Sequence, residues 1–152
     1  MHSSSDSNDG LLAKALERLD AWKASCWIPI TEKGPGPSEA SKFSGLPMLF
    51  EDEDWPCCPQ CQKPMELIVQ LNLSELPNDA GERTQTGFVQ LFFCVADKQY
   101  LGCDTYEPPD HLVRVIGAED IRRLVPAKTS PVHSPFPEQV IVGWRQEVDY
   151  PW

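Results

Sequence analysis

The chain has 152 residues, 41% of them hydrophobic and 24% charged, which suits one ordinary globular domain with roughly 70% of its unfolded surface buried. A formal net charge of −10 speaks against direct contact with nucleic acid, because phosphate recognition needs clustered lysine and arginine. Fifteen prolines and nine glycines speak against an architecture of long helices and favour many short elements joined by defined loops.

In chain order, residues 1–9 are Ser/Asp-rich and read as a disordered tail. They lack the basic and apolar segments of a secretory signal, and no apolar run approaches a membrane span, so the cytoplasm is the expected compartment. Asp9 can cap a helix starting near Gly10. Leu12, Ala15, Leu16, Leu19 and Trp22 then recur at helical spacing and form a stripe expected to face the core. Residues 26–30 read as an edge strand, since Pro29 lacks a ladder donor. A Pro/Gly loop follows at 34–37, and residues 41–50 are apolar but broken by Gly45 and Pro47.

The acidic run Glu51, Asp52, Glu53 and Asp54 precedes Trp55-Pro56. It lacks the alternation and glycine of a calcium loop, which leaves a solvated turn or a surface for a basic partner. Residues 65–73 and 88–95 give the strongest strand signals. Both are apolar on both faces and so are expected at the centre of a sheet, with Gln70 and Gln90 bonding to loop backbone. In the first, Leu67, Val69, Leu71 and Leu73 are expected on one face, and Ile68, Gln70 and Asn72 on the other. Residues 112–116 form a third strand, 118–124 a short helix or turn, 126–137 a Pro-rich loop, and 139–148 a last strand.

The cysteines carry the clearest chemistry. Cys58-Pro59-Gln60-Cys61 has the two-residue spacing that lets two thiolates reach one tetrahedral ion. Cys94 ends a strong strand, and Cys103 lies nine residues later, past an expected hairpin at 97–102. Four thiolates from two loops make a closed structural zinc site with no position for water. Cys57 could replace Cys58, but three residues would then separate it from Cys61. A redox pair would want a helix beginning at the first cysteine, whereas Pro59 and Pro64 bracket a loop. Cys26 stands apart and reads as a buried thiol. The residues form no HExxH, G-x-S-x-G, P-loop or dinucleotide fingerprint.

Four blocks occur in order: Ser41 to Pro47, Trp55 to Met65 with its two cysteines, Gln70 to Leu73, and Gln90 to Cys94. Together they resemble the YwqG-like family of mostly uncharacterised bacterial proteins, over roughly residues 41–150. Family members often continue into a second half. A glycine is usual directly after the second cysteine of such a knuckle, and Gln62 stands there. The same blocks are similar to the N-terminal half of the programmed-cell-death-2 type chaperones of a ribosomal protein. Some YwqG-like proteins are similar to antitoxins.

The expected fold is mainly β, a roll or small barrel with one N-terminal helix and a structural zinc clip, residues 10–152 forming one domain. The expected function is a non-enzymatic protein-binding module, of the immunity type that neutralises a basic toxin. The alternatives are a chaperone-type binder of a basic ribosomal protein and an enzyme of unknown class.

Overall fold

The computed structural model describes residues 6–78, 86–95 and 111–150. The protein is mainly β, with one N-terminal helix. It divides into two compact units, Met1–Ile28 with Arg145–Trp152, and Pro29–Trp144.

In the first unit, α1 (Asp6–Asp20) begins four residues before the expected Gly10 start. Gly10 is tolerated inside it, at a cost of about 1 kcal/mol relative to alanine. The apolar stripe is helical as expected, and no described residue of its own unit buries it. Leu12, Leu16, Leu19 and Trp22 are 61%, 53%, 48% and 62% exposed. Periodicity fixes which face of a helix is apolar, not what covers that face.

Six strands make one open sheet in the order β1-β8-β2-β4-β5-β6: β1 (Ala24–Lys33), β2 (Lys42–Phe43), β4 (Glu66–Asn72), β5 (Phe88–Phe93), β6 (His111–Ile116) and β8 (Gln139–Asp149). The order ends on β1 and β6, so the described strands form no closed barrel, contrary to one expectation. A second, two-stranded sheet pairs β3 (Met48–Phe50) with β7 (Leu124–Pro126). It was not foreseen, because Pro126 reads as the start of a loop. Pro126 stands at the end of this short ladder, where a missing donor costs least.

β4 and β5 occupy interior positions, as expected from their apolar runs. The strict alternation expected of β4 fails at one point. Leu67 pairs with Phe92 and Gln70 with Gln90, because the register shifts between Leu67 and Val69. Phe92 and Gln90 share a face of β5, so the bulge at Ile68 brings Leu67 and Gln70 onto that same face, and both are fully buried. This inner face carries the core of the second unit. Leu49, Cys58, Met65, Leu67, Phe92 and Cys94 form one cluster, and Met48, Phe88, Ile116 and Leu124 form another.

A polar chain runs between the two clusters. The Gln70 amide donates to the carbonyls of Ser38 and Ala40, and its oxygen accepts from the Met48 backbone at 2.8 Å and from the Gln90 amide at 2.9 Å. Gln90 also donates to Met48 O at 2.7 Å. Arg114 then donates from β6 to Gln90 Oε1 at 2.7 Å and to Glu53 at 2.5 Å. The two buried glutamines thus stitch the small sheet to the large one through backbone groups that would otherwise be orphaned.

The Ser41–Pro47 segment is a second polar lock. Lys42 is 2% exposed and lies 3.6 Å from a Glu138 carboxylate oxygen. Ser44 takes a left-handed conformation (φ 59) and its hydroxyl reaches Glu66 Oε1 at 3.0 Å. Gly45 follows at φ 85, a conformation that favours glycine, and a β-carbon there would also push the Glu138 carboxylate aside.

Candidate metal centre

The segment 55–65 folds back on itself as a small hairpin. Met65 N donates to Pro56 O and Cys58 N to Lys63 O, both at 2.9 Å, and Cys57 bridges Pro64. Trp55 anchors it. Its indole N–H donates to Met65 O at 2.8 Å, and its ring stands edge-on to Phe92 at 6.4 Å between centroids. The turn between Cys58 and Cys61 closes with Gln62 N donating to Cys58 O at 2.9 Å. Closing it puts Gln62 at φ 58, the conformation a glycine would take most easily. The Gln62 side-chain amide donates to Pro59 O at 2.8 Å, a bond glycine could not make. The knuckle geometry survives the departure from glycine.

This hairpin delivers Cys58 and Cys61 to Cys94, the first residue past β5. The three Sγ atoms lie within 4.8 Å of one another, with Cys61 and Cys94 at 3.6 Å. Thiolates bound to a tetrahedral ion at about 2.3 Å stand about 3.8 Å apart, so this donor set fits a metal ion as it stands. Cys58 and Cys94 have no exposed surface, and Cys61 is half-buried. No disulfide joins them. Cys58 opens a tight turn rather than a helix, so it lacks the helix N-terminus that activates a redox cysteine.

Of the two neighbouring cysteines, Cys58 is the one that lies in this group. Cys57 is exposed, is not one of the three grouped thiols and donates to Trp55 O at 3.4 Å. Cys103, the expected fourth ligand, and the hairpin expected before it lie outside the described residues. Cys26 is half-buried.

The acidic run does not behave as one unit. Glu51, Asp52 and Asp54 are exposed in the turn after β3, whereas Glu53 is turned inward. Its carboxylate accepts from Phe50 N at 3.0 Å and pairs with Arg114, whose side chain is 11% exposed. Glu53 therefore serves the fold, and three carboxylates rather than four remain for any partner. The signal for this was the glutamine inside an apolar strand. It marked a buried polar chain but not the chain's far end.

The sequence profile of Domain of unknown function (DUF1963) matches residues 41–148. The chain belongs to that family. The matched range holds Cys58, Cys61 and Cys94, both buried glutamines and the Lys42 lock. No curated protein matches the chain. The DUF1963 description assigns no activity. No helix among the described residues is long and apolar enough to cross a membrane.

Proposed function

We propose that this DUF1963 chain is a non-enzymatic protein-binding module whose knuckle is fastened by one structural zinc ion. Cys58, Cys61 and Cys94 supply three ligands, and Cys103 the fourth. The observation that carries this reading is the convergence of three thiols, two of them wholly inaccessible, inside the main apolar cluster. An all-sulfur donor set favours zinc over harder cations. Ligands without exposed surface leave water no approach from their side, which supports a role in stability rather than hydrolysis.

The partner in this reading is a basic protein in the cytoplasm, an immunity-type target such as a toxin. A net charge of −10 supports it, since complementary charge raises association rates. The resemblance to the YwqG-like family, some of whose members are similar to antitoxins, points the same way. Affinity capture by the full chain from its native cells, followed by mass spectrometry, tests this. Recovery of a basic protein that dissociates as salt rises supports the reading. Recovery of an acidic partner, or binding indifferent to salt, overturns it.

A further inference from the structure

The large sheet has a second face. The registers align Phe43, Val69, Leu91 and Val113 across four strands on the side away from Gln70 and Gln90. None of the four is buried, and Val113 is 55% exposed. One end of this face is shaped into a groove of about 390 Å³, floored by Phe43, Ile68, Leu91 and Phe93 and walled by Phe136 and Pro137. The volume lies in the range of pockets that hold specific ligand groups.

The groove is built rather than incidental. The β4 bulge that turns Gln70 inward also aims Ile68 into the groove. The wall is pinned from below. The hydroxyls of Ser134 and Ser44 lie 2.9 Å and 3.0 Å from Phe136 O, and Phe136 N donates to Ser134 Oγ at 3.0 Å. A wall fixed in this way loses little freedom when something binds.

Charge decides what kind of occupant fits. A second copy would bring another −10 against the first, whereas a basic segment is drawn in. Glu138, next to the wall, is already paired with the buried Lys42, so the attraction on a basic segment is that of the whole acidic chain. We propose that this groove receives a bulky apolar side chain carried on a basic segment of a partner protein. The inference rests on the reading of a basic partner and names the surface that selects it. The exposed carboxylates steer the segment, and the groove takes its anchor.

The test uses three synthetic nine-residue peptides: lysines flanking one phenylalanine, lysines flanking one alanine, and glutamates flanking one phenylalanine. Each is titrated into the isotope-labelled full chain and followed by two-dimensional NMR. The Lys–Phe peptide should shift the amides of Phe43, Leu91 and Phe93. It should bind at least about tenfold more tightly than the Lys–Ala peptide, the equivalent of about 1.4 kcal/mol. Phe136→Ser, which keeps the backbone bonds to Ser134, should lose that advantage, and Ile68→Ala is the second variant if the first does not fold. Equal binding of both lysine peptides, with shifts confined to Glu51–Asp54, overturns the groove and leaves the basic-partner reading standing. Failure of both lysine peptides to bind overturns both. Equal binding of the glutamate peptide, or self-association of the chain that Phe136→Ser abolishes, also overturns the proposal.

Discussion

Replacing Glu53 by glutamine removes one charge from the acidic run and should cost far more than neutralising its neighbours. The Glu53 carboxylate accepts from Phe50 N and holds Arg114, which in turn supports Gln90 between the two sheets. Hydrogen bonds to charged groups contribute about 1.5–3 kcal/mol each. Glutamine keeps an acceptor but not the charge, and the Glu53 side chain is 28% exposed, so solvent screens part of the loss. The expected destabilisation is about 1–2 kcal/mol, or roughly 2–8 °C in Tm for a chain of this size. Asp52→Asn and Asp54→Asn lie at exposed positions and should stay within about 0.5 kcal/mol of the parent. Denaturant unfolding of the three variants and of Arg114→Met, with the Glu53→Gln/Arg114→Met double mutant, closes a cycle whose coupling should reach about 1 kcal/mol. If Glu53→Gln is as stable as Asp52→Asn, or the coupling is near zero, the pair does not clamp the sheets and the reasoning fails.

Gly87 sits at φ 127, and a β-carbon there would lie 2.2 Å from Ile116 O, so Gly87→Ala should cost at least about 2 kcal/mol in a denaturant melt. Burial lowers the Lys42 pKa below its ordinary 10.5, against the opposing pull of Glu138. The unfolded chain then binds the proton more tightly, so the penalty is full below the folded value and disappears as pH rises towards 10.5. Stability should climb with pH over that alkaline window, and Lys42→Met should flatten the slope. A parent whose stability does not change there contradicts the placement of Lys42. Cys94→Ser removes a wholly buried thiol of the cluster and should abolish cooperative unfolding, whereas Cys57→Ser, outside the cluster, should melt like the parent. Calorimetry of the two side by side reads the difference.

The long strands and the Cys58–Cys61 pair were legible because both are local patterns. A two-residue gap between cysteines fixes what a short turn can reach, and a largely apolar strand segment marks an interior strand whichever partner it takes. What the sequence hid depends on distant chain. The stripe on α1 gave the apolar face correctly, but its exposure depends on what packs against it. Strict alternation misplaced Leu67 relative to Gln70 because a bulge adds one residue without changing composition. Glu53 looked like one of four equivalent acids, and only the arrival of Arg114 from 61 residues away distinguishes it. Gln62 shows the converse. Its left-handed backbone keeps the knuckle in a sequence that lacks the usual glycine.

The zinc staple is the claim on which the rest depends, and elemental analysis of freshly purified full-length protein tests it most directly. The account predicts about one zinc per chain. It also predicts that chelation releases the metal together with the cooperative melting transition, and that Cys57→Ser keeps full occupancy while Cys58→Ser loses it. Protein that holds no metal and melts identically with and without chelator would contradict it.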